Sequence, residues 1–587
     1  MSKAKEIIGL DEMRHSCAHV LAQAVLKMFP EAKLGIGPTI DDGFYYDFDL
    51  PRTLIPEDLP ILEKKMKEIV KQAQVFVKKE EPSDKAIEFL KEAGQSYKVE
   101  LVKDLAKQGE TITFYENLLP NTNKPMFVDL CRGGHVEHTG KIGYFKLLKI
   151  AGAYWKGDEK NPMLQRIYGT CWQTQEELDA YLNRLEEAKK RDHKILGKQL
   201  RLFTTTPLVG PGYPLFLPRG AELKRILEEY ITAIKRKNGY KFVCIPHVAK
   251  EDLYIKSGHM GKYEAMMPVM ETSEGERIVM KAMNCPHHFE LYNSEAHSYR
   301  ELPLRYAENT AVYRYEKSGE VNGLFRVRSI TQDDTHHFVT HDQIKSEIEM
   351  VLRITKEVYS KFGFNKFKAR VSIRNPEHPE KYFGSDELWK KAESILIEGV
   401  KKLADDYFIK EGEAAFYGPK IDVMIEDAIG REWQLTTIQL DFNQPENFDM
   451  TYTGEDGKPH RPAVLHVAIL GALERFIGVI IEHYSGAFPY WLAPVQVKIV
   501  PVAQDFNEYA KKVYEDLCIA NVRVELDDSR DSLGKKIRNS EHEKIPYIFV
   551  VGEKEMTDKT VAVRDYATKK QEVMPLKKFM DTHGAVE

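Results

Sequence analysis

Residues 313–338, YRYEKSGEVNGLFRVRSITQDDTHHF, decide the fold of the middle of this chain. The turn-prone stretch KSGEVNG separates two segments with the composition of strands, which predicts an antiparallel hairpin. On the first strand we expect Arg314 and Glu316 to share one face. The returning strand is expected to present three polar side chains at alternate positions, Gln332, Asp334 and His336.

The hairpin carries three arginines that can reach phosphate groups, Arg314, Arg326 and Arg328. Guanidinium groups suit phosphate because their planar fork donates two parallel hydrogen bonds. Arginines beside a histidine that could bind a metal indicate nucleotide chemistry. An ordinary charged surface hairpin is the alternative, and this stretch alone does not decide between the two.

The composition limits the class of protein. At 587 residues the chain is too long for one hydrophobic core and predicts roughly three or four domains. Its net charge of −5 argues against a protein that binds nucleic acid by bulk charge, although a local basic groove is compatible with it. The six cysteines form no CxxC pair, and no apolar run approaches the roughly 20 residues of a membrane span. We expect a soluble, cytoplasmic, multidomain protein without a signal peptide.

A possible second site lies in the N-terminal third. Residues 11–29 have the pattern of an amphipathic helix, on which His15 and His19 are four residues apart and share a face. The stretch KPMFVDLCRGGHVEHTG (124–140) predicts a strand and a turn that carry Cys131 and His135. One cysteine and three histidines suit zinc. A metal-free hydrolytic pocket and a chance grouping stay open as alternatives.

The remaining patterns predict how the chain is divided. A charged stretch without proline, 175–200, predicts one long solvated linker helix. After it, helices are mixed with strands of alternating polarity, which indicates an antiparallel sheet packed on helices. From Trp491 onward short strands and helices alternate, which predicts a compact α/β domain of roughly 95 residues. The expected segments are an N-terminal domain 1–174, the linker 175–200, a central domain 201–491 and a C-terminal domain 492–587.

Several motifs together resemble one family. The segments FVCIPHV, YRYEKSG…FRVRSITQDDTHHF and LGALERFIG are similar to the three signature motifs of class II aminoacyl-tRNA synthetases. Within that class, MNCP, TQDDTH, FYGPKID, WQLTTIQLDF and LHVAILGALERF resemble the threonyl-tRNA synthetase family, and RHSCAHVLAQAV and VDLCRGGHV resemble its editing domain. The match is colinear over nearly the whole chain, which makes it far more specific than any single motif.

This resemblance implies an α+β multidomain enzyme. Its parts would be an α/β editing domain, a class II catalytic domain with an antiparallel sheet flanked by helices, and an α/β anticodon-binding domain. It would activate L-threonine with ATP, transfer threonine to tRNA(Thr), and hydrolyse Ser-tRNA at a separate editing site. The implied partners are tRNA(Thr), L-threonine, ATP and a second copy of the chain, as a homodimer formed through the first motif, with no membrane.

Roles in the catalytic domain carry over position by position. The implied ligands of one zinc ion per chain are Cys285, His336 and His466. The implied threonine contacts are Gln332, Asp334, Tyr417 and Ala468. The implied contacts to ATP, which brings Mg²⁺, are Arg314, Glu316, Arg326, Gln434 and Arg475. The resemblance adds Lys420 to the same site, and His259 and Gln439 to the transfer of threonine to tRNA. The implied metal rejects valine, which has no hydroxyl to ligate it.

The editing domain is implied to contain a metal-free pocket, which weakens the zinc interpretation of the N-terminal cluster. A second hydrolytic site is physically expected, because serine lacks only one methyl group relative to threonine, worth roughly 1–3 kcal/mol. The implied editing residues are His15, His19, Tyr45, Lys98, Asp129, Cys131 and His135. The implied anticodon contacts in the last domain are Glu555 and Arg564.

The chain departs from the family pattern in three places. The family often carries a small ubiquitin-like TGS domain before the editing domain, whereas this chain begins at the editing domain; the initial Met does not decide whether a longer natural chain exists. His287 stands where glycine is expected, beside the first implied zinc ligand, with contact to the outside of the metal site or solvent exposure as its expected roles. Arg530 stands where asparagine is expected, which removes one implied anticodon contact.

Competing functions fit the residues less well. A synthetase-like binding protein would be expected to lose Arg314, Arg475 or one of the zinc ligands, and all are present. A prolyl or seryl enzyme would not carry the three zinc-ligand segments together with the two editing segments. An unrelated zinc hydrolase would explain the histidines but neither the arginines nor the C-terminal α/β domain.

Overall fold

The structure is a computed structural model that describes residues 9–583 except 123 and 402–405. The first eight residues, for which we predict no signal peptide, lie outside the described part. The chain divides into two compact units, Met1–Glu186 and Glu187–Glu587. Throughout the described ranges, no helix combines the length and the apolar character that crossing a membrane requires.

The first unit is built on two antiparallel sheets. One sheet has the strand order β1-β3-β8-β7 with β2 beside β3, and the other has the order β4-β5-β6. The strands are β1 (Lys33–Leu34), β2 (Thr39–Ile40), β3 (Gly43–Asp49), β4 (Val75–Glu80), β5 (Thr113–Leu118), β6 (Pro125–Leu130), β7 (Tyr144–Tyr154) and β8 (Met163–Trp172). The helices are α1 (Leu10–Met28), α2 (Asp58–Lys71), α3 (Ser83–Glu92), α4 (Ser96–Lys107) and α5 (Gln175–Arg191), of which α5 runs past the end of the unit.

Helix α1 confirms the prediction for residues 11–29. It contains neither glycine nor proline, and it stops at Phe29, the residue before Pro30, because a residue that precedes proline is disfavoured in the helical region. Its middle is packed into the apolar core of the unit, so that His19 is buried while His15 is half-buried one turn earlier. The two histidines therefore face the same side of the helix, toward the strand that carries Asp129.

Fifteen strands and eight helices describe the first part of the second unit, within the residues that the structure covers. The strands are β9 (Phe203–Thr204), β10 (Leu215–Phe216), β11 (Lys241–Phe242), β12 (Val248–Lys250), β13 (Met270–Glu271), β14 (Arg277–Met280), β15 (Leu304–Tyr313), β16 (Ser329–Val339), β17 (Phe367–Ile373), β18 (Tyr407–Glu411), β19 (Lys420–Glu426), β20 (Glu432–Asp441), β21 (Tyr452–Thr453), β22 (Pro459–His460) and β23 (Ala463–Ala472). The helices are α6 (His193–Gln199), α7 (Pro218–Lys237), α8 (Glu251–Lys256), α9 (Cys285–Asn293), α10 (Ile344–Lys361), α11 (Asp386–Lys401), α12 (Gln444–Asn447) and α13 (Leu473–His483).

The central sheet has the strand order β11-β15-β16-β23-β20-β19-β17-β18. Its inner pairs from β15 to β17 are antiparallel, which confirms the predicted architecture, and only the two outer pairs are parallel. Apolar side chains of α7, α10, α11 and α13 pack on one face of this sheet and form the largest core. The opposite face carries polar side chains, His336 and His466 among them, and a smaller apolar cluster that includes Phe338 and Val464.

The hairpin predicted over 313–338 is present, but its first strand is shorter than expected. Strands β15 and β16 pair antiparallel from Leu304 opposite Phe338 to Tyr313 opposite Ser329. Arg314 and Glu316 therefore lie in the connection rather than on the strand, which corrects the prediction. The Arg314 amide still donates to the Arg328 carbonyl at the base of the connection. The Arg328 amide donates to the Gly212 carbonyl, which is not part of the hairpin, and the connection leaves the sheet there.

An irregularity between β16 and β23 shapes the centre of the sheet. The register shifts between Gln332, which pairs with Ala472, and Asp334, which pairs with Ala468. The three amides freed by the shift, those of Ile469, Leu470 and Gly471, all donate to the buried Asp333 carboxylate at 2.9–3.1 Å. The three amides at the irregularity therefore each have an acceptor. The same carboxylate lies 3.2 Å from the ammonium group of buried Lys235.

The predicted continuous linker helix over 175–200 is wrong in one respect. Helix α5 ends at Arg191, and α6 begins at His193. Asp192 between them has the extended ψ of 118°, and its side chain accepts a hydrogen bond from the Lys194 amide at 2.7 Å. An aspartate in this position caps a new helix instead of continuing the old one.

The C-terminal part of the second unit is the predicted α/β arrangement. Its strand order is β25-β24-β26-β27-β28, parallel across the first three strands and antiparallel across the rest. The strands are β24 (Val497–Pro501), β25 (Val524–Leu526), β26 (Tyr547–Val551), β27 (Thr560–Asp565) and β28 (Gln571–Pro575). The helices are α14 (Asn507–Ile519), α15 (Leu533–His542), α16 (Glu553–Asp558) and α17 (Leu576–His583).

Candidate active site

The polar face of the central sheet lines a cavity of about 430 Å³. Most of the residues that the sequence implies for the catalytic domain share this cavity. They are Cys285, Arg314, Gln332, Asp334, His336, Tyr417, Lys420, Gln434, Gln439, His466, Ala468 and Arg475. Three other residues implied for that domain, His259, Glu316 and Arg326, do not line it.

One end of the cavity is a cluster of three potential metal ligands, Cys285, His336 and His466. Their ligand atoms all lie within 4.8 Å of one another, and all three residues are buried. His336 and His466 are direct partners across β16 and β23, so the sheet register brings them together. Cys285 comes from the first turn of α9, where Pro286 follows it without loss of a helical hydrogen bond.

Groups outside the cluster contact both imidazoles. Asp441 accepts a hydrogen bond from His466 Nε2 at 3.0 Å, so His466 Nδ1 carries a lone pair. Glu308 lies 3.7 Å from His288 Nε2. His288 Nδ1 lies 2.8 Å from His336 Nδ1, and either ring can be the donor of this hydrogen bond. In the tautomer in which His336 donates to His288, the lone pair of His336 is on Nε2.

His336 Nε2 and His466 Nδ1 lie 3.0 Å apart, so that His336 can donate to His466 when no cation is bound. In the other tautomer of His336 both nitrogens carry lone pairs, and these can bind one cation together. Histidine ligands held by outer carboxylates are the usual arrangement of a metal site. The cluster can therefore bind a metal ion, and a Cys-His-His set suits zinc with one position left for another ligand.

Burial acts on the protonation of the same groups. It lowers the pKa of His336 well below its usual range, which keeps the imidazole neutral, the form that binds metals. Burial also raises the pKa of the Cys285 thiol, and the neighbouring Asp334 and Asp441 carboxylates raise it further. A thiolate at this position therefore needs a cation beside it.

His287, whose role the sequence left open, is not part of the cluster. Its side chain is 8% exposed, so the expectation of solvent exposure is wrong, and burial lowers its pKa to about 4. The imidazole that contacts a ligand is the next one, His288. His288, Glu308 and Asp441 are not among the predicted residues. Asp441 lies within the segment WQLTTIQLDF, but nothing in the sequence marks it as a partner of His466.

Two polar side chains of β16 lie between the cluster and the middle of the cavity. Gln332 and Asp334 are half-buried and alternate with buried residues, as the strand pattern predicts. Asn284 donates a hydrogen bond from Nδ2 to Asp334 Oδ2 at 2.9 Å, which orients the carboxylate. Tyr417 stands against His466 with ring centroids 5.2 Å apart, and Ala468 leaves room beside it.

Two arginines also line the cavity, Arg314 and Arg475. Arg475, in the first turn of α13, donates to the Phe325 carbonyl at 3.0 Å, and Arg314 donates to the Ala282 carbonyl at 3.4 Å. Burial lowers the pKa of Arg475, and the charges of Arg314 and Arg326 lower it further. Converging guanidinium groups of this kind are stabilised by an anion such as phosphate.

Glu316 and Arg326 are paired with each other outside the lining of the cavity. Arg326 donates to Glu316 at 2.7–2.8 Å and also lies 2.9 Å from Glu320. Both residues belong to the connection between β15 and β16. Their placement brings them close to Arg475 but leaves their side chains bound to one another.

A buried aspartate organises the floor of the cavity. Asp422 accepts from Gln434 at 2.6 Å and lies 3.0 Å from the Lys420 ammonium group. Arg370 donates to Asp422 at 2.8 Å and to the Gln434 side-chain oxygen at 2.7 Å. Gln434 is therefore held at both of its amide atoms. Asp422 and Arg370 were missed in the sequence.

The two residues implied in transfer lie in different settings. Gln439 lines the cavity next to His466 and donates to the Gly418 carbonyl at 3.2 Å. His259 is fully buried behind the wall, with its ring centroid 6.2 Å from that of Tyr417 and its Nδ1 2.7 Å from the Ser257 hydroxyl. Its Nε2 has no hydrogen-bond partner within the described residues, and burial lowers its pKa to about 4.

The first unit contains the second cluster, formed by His15, His19, Cys131 and His135. Their ligand atoms also lie within 4.8 Å of one another. Cys131 Sγ is central, at 3.4 Å from His15 Nε2 and 3.3 Å from His135 Nε2, and it accepts from the Gly133 amide at 3.3 Å. Burial raises the pKa of the Cys131 thiol to about 12. A protonated thiol thus supplies a hydrogen bond inside this cluster.

The histidines of this cluster are neutral. Burial lowers the pKa of His15, His19 and His135. Ser16 donates its hydroxyl to the Glu12 carbonyl at 2.8 Å, so it accepts from His135 Nδ1 at 3.1 Å and leaves the lone pair of that ring on Nε2. A neutral imidazole with a free lone pair can accept a proton from water.

A buried ion pair borders the second cluster. Lys98 on α4 lies 2.6 Å from Asp129, and His19 Nε2 lies 3.8 Å from the same carboxylate. Tyr46 donates a short hydrogen bond to Asp129. Tyr45, the predicted editing tyrosine, is not brought there: it points to the other face of β3 and stacks on Arg166, 3.7 Å from the ring centroid. The tyrosine that contacts Asp129 is the next residue, because a shift of one position along a strand reverses the face.

The predicted anticodon residues are engaged within the C-terminal domain. Arg564 on β27 donates to Glu541 at 2.8–3.0 Å. Glu555 on α16 accepts from the Gly552 amide at 3.0 Å and so caps its own helix. Lys536 in the same domain is buried and donates to the Asp527 carbonyl at 3.0 Å.

Three parts of the chain match known families. Residues 269–484 match the class II tRNA synthetase core domain (G, H, P, S and T), and residues 496–583 match the anticodon binding domain. Residues 106–168 match the threonyl and alanyl tRNA synthetase second additional domain. The first match contains the metal-ligand cluster and the arginines, and the third contains Cys131 and His135.

Similar proteins agree over most of the chain. A threonine–tRNA ligase of Geobacillus sp. (strain WCH70) is 49% identical over 97% of this chain and 88% of its own length. Threonine–tRNA ligase 1 of Bacillus subtilis (strain 168) is 47% identical over 97% of this chain and 88% of its own length.

Solved structures show the same fold. The RNA-binding domain of a Cryptosporidium parvum Iowa II threonyl-tRNA synthetase matches with a TM-score of 0.64 and 37% identity, over 67% of this chain and 98% of that chain. A Giardia lamblia prolyl-tRNA synthetase matches at 17% identity with a TM-score of 0.54, over 68% of this chain and 76% of that chain, and so shares the fold alone. Given near 50% identity over almost its whole length, the chain belongs to the threonine–tRNA ligase family of class II synthetases.

Proposed function

We propose that this chain is a threonine–tRNA ligase that activates threonine with ATP, transfers it to tRNA(Thr), and hydrolyses Ser-tRNA in its first unit. One observation carries the proposal: a single cavity is lined both by a Cys-His-His cluster and by two arginines. Such a cavity can hold a small amino acid at the cluster and a phosphate chain at the arginines. The proposed domains are 1–174 for editing, 175–200 as linker, 201–491 for catalysis and 492–587 for the anticodon.

The proposed cofactor of the cavity is one zinc ion per chain, held by Cys285, His336 and His466. The fit rests on the donor set, one thiol and two imidazoles, which are buried with their ligand atoms within 4.8 Å of one another. When bound, zinc would accept the amino and hydroxyl groups of threonine as ligands, a feature that valine lacks. Asp334 and Gln332 would bind the same polar groups, and Tyr417 and Ala468 would limit the space for the methyl group.

Activation needs alignment and charge neutralisation more than proton transfer. The carboxylate of threonine is ionised at neutral pH and attacks the α-phosphorus of ATP, from which pyrophosphate leaves. Arg314 and Arg475 would hold the phosphates of Mg²⁺-ATP, since both residues line the cavity. Glu316, Arg326, Gln434 and Lys420 are proposed as further contacts to ATP. Glu316 and Arg326 are bound to each other, and their ion pair would have to open before either could contact ATP.

Transfer to tRNA is assigned to His259 and Gln439, as assisting groups. His259 would have to become accessible from its buried position behind Tyr417. We expect His259→Ala to slow the transfer of threonine to tRNA while ATP–pyrophosphate exchange stays near that of the wild type. An equal loss in both assays would remove His259 from the transfer step.

Editing is assigned to the cluster of His15, His19, Cys131 and His135 with Lys98 and Asp129. The proposal is that neutral imidazoles activate water against the ester of Ser-tRNA. Tyr46 takes the place of Tyr45 in this assignment, because it donates to Asp129. A metal ion is not required, since the Cys131 thiol already bridges two imidazoles.

Further partners belong to the same proposal. Glu555 and Arg564 would read anticodon bases in a single-stranded loop. A homodimer would form near α7, where the preceding segment exposes Leu208, Val209 and Leu215 to solvent. The cytoplasm, where tRNA and ATP meet, is the proposed location.

The test of the proposed function is ATP–pyrophosphate exchange with threonine, serine and valine in parallel. We expect exchange with threonine, weaker exchange with serine and none with valine. Exchange with none of the three would favour a synthetase-like binding protein. Equal exchange with valine and threonine would remove the metal from amino-acid selection.

A further inference from the structure

A third group of metal-ligand types lies away from both clusters, at Asp192, His193 and Glu482. His193 opens α6, and Glu482 lies near the end of α13, 289 residues later in the chain. The imidazole is 1% exposed and the carboxylate 3%. Burial of this degree for a histidine and a glutamate calls for a specific pairing.

Both ring nitrogens of His193 already have partners, so this group does not hold a metal. The Leu324 amide donates to His193 Nε2 at 3.0 Å. An amide can only donate, so Nε2 carries the lone pair and the ring proton lies on Nδ1. Nδ1 then donates to Glu482 Oε1 at 2.7 Å, and the His193 amide donates to the same oxygen at 2.9 Å.

The partner of His193 belongs to the connection between β15 and β16, which carries Arg326. Phe325 packs on the His193 ring with centroids 4.0 Å apart. Gly323 sits against the same ring, where a Cβ atom would lie 2.2 Å from His193 Nε2, at a positive φ of 52°. Lys194 adds a hydrogen bond to the Asn322 side chain at 3.2 Å. The first turn of α6 thus holds residues 322–325.

The same segment fixes an arginine of the proposed ATP site. The Phe325 carbonyl accepts from Arg475 Nε at 3.0 Å. Glu482 and Arg475 are both on α13, and Glu482 is further held by Arg431 at 2.5 Å. A closed chain of contacts therefore runs from Glu482 through His193 and the Leu324–Phe325 backbone to Arg475.

We propose that His193 is a positioning residue for ATP: as a neutral imidazole bridging Glu482 and the Leu324 amide, it holds the 322–326 segment in the form that orients Arg475. This inference rests on the proposed function, because it assigns phosphate binding to Arg475. The threonine end of the cavity depends on β16, β23 and α9 and has no contact with His193 among the described residues. The effect of His193 is therefore confined to ATP.

Two substitutions separate the two hydrogen bonds of His193. In His193→Asn, the amide group takes the position of Nδ1, so the bond to Glu482 is kept and the bond to Leu324 is lost. In His193→Gln, the longer side chain reaches the position of Nε2, so its oxygen can accept from Leu324. We expect His193→Asn to raise the KM for ATP in pyrophosphate exchange about tenfold, with the KM for threonine within about twofold of wild type. His193→Gln should bring the KM for ATP back to within about threefold.

A second measurement does not depend on activity. Hydrogen exchange of the Leu324 amide in the full chain should be protected in the wild type and in His193→Gln, and should be fast in His193→Asn. The proposal is overturned by an unchanged KM for ATP in His193→Asn, by a parallel rise for threonine, by equal Leu324 protection in all three proteins, or by His193→Gln behaving like His193→Asn. If the wild type shows no threonine-dependent exchange, the proposed function fails, whereas Leu324 protection still decides whether His193 holds the segment.

Discussion

The molecule contains two clusters built from the same kinds of side chain, and their surroundings give them different chemistry. In the second unit, His336 Nε2 and His466 Nδ1 lie 3.0 Å apart beside Cys285, so that both can turn a lone pair toward one cation. In the first unit, the Cys131 sulfur lies between two imidazoles at 3.3–3.4 Å, and its thiol proton can be donated to one of them. We therefore expect a metal ion in the first arrangement and none in the second.

The outer partners explain the difference. In the cluster of the second unit, Asp441 accepts from His466 Nε2, and His288 offers His336 a partner at Nδ1. In the cluster of the first unit, Ser16 orients His135, and Asp129 is paired with Lys98. Residue types alone therefore do not identify a metal site, because the groups that orient the ligands decide where lone pairs converge.

The largest expected effect comes from removing the sulfur of each cluster in turn. Cys285→Ala should lower threonine-dependent ATP–pyrophosphate exchange by at least about a thousandfold, since metal ligation supplies several kcal/mol. Cys131→Ala is the matched control and should leave exchange within about twofold. Comparable losses in the two variants would break the distinction between the clusters.

The next effect concerns mischarged tRNA. The His15→Ala/Cys131→Ala double variant should hydrolyse Ser-tRNA(Thr) at least about 100-fold more slowly, the usual contribution of acid–base groups. Threonylation should be unchanged, and Ser-tRNA should accumulate in a charging reaction with serine. A double variant that clears Ser-tRNA as fast as the wild type would contradict the editing assignment.

A smaller effect tests the outer partners. Asp441→Asn keeps the oxygen that accepts from the Asn443 and Gln444 amides but places an NH₂ group against His466. Zinc affinity, measured by competition with a chelator, should fall about 10–100-fold. Ser16→Ala removes the corresponding partner in the other cluster and should leave zinc affinity unchanged. An Asp441→Asn protein with wild-type affinity would mean that orientation of His466 is unimportant.

The sequence predicts the parts of these sites better than their assembly. Alternation along TQDDTH predicts that Gln332, Asp334 and His336 share a face, and the helix pattern predicts that His15 and His19 do. The contact of His336 with His466 depends on strand register between residues 130 positions apart, which no local pattern contains.

The errors have physical causes of the same kind. Tyr45 and Tyr46 are adjacent aromatic residues in one strand, and only the register of β3 decides which of them faces Asp129. The capping role of Asp192 was hidden in a stretch that is otherwise uniformly helical in character. His288 and Asp441 look like ordinary polar residues until the fold brings them to the ligands.

The smallest expected effect is a pH dependence of the unfolding free energy. It comes from His259, a buried histidine that is not one of the proposed metal ligands. Burial lowers the pKa of His259 to about 4 from 6.5, so between these values the unfolded chain binds the proton that the folded chain excludes. Stability is therefore lost as the pH falls from about 6.5 toward 4. Because of His259, the unfolding free energy of the second unit should fall by about 1 kcal/mol as the pH falls from 7 to 5.5.

His259→Asn checks this assignment, because its amide keeps a partner for the Ser257 hydroxyl without a titrating group. Thermal unfolding at pH 7 and pH 5.5 gives the loss of unfolding free energy between the two. This loss should be about 1 kcal/mol smaller in His259→Asn than in the wild type. An identical pH effect in both proteins would mean that His259 is not the group responsible.

The most direct test of the comparison is the zinc content of the purified full-length chain and of its two cysteine variants. We expect about one zinc per chain in the wild type and in Cys131→Ala, and close to none in Cys285→Ala. Two zinc ions per wild-type chain, or a loss of zinc in Cys131→Ala with retention in Cys285→Ala, would contradict the account of the two clusters.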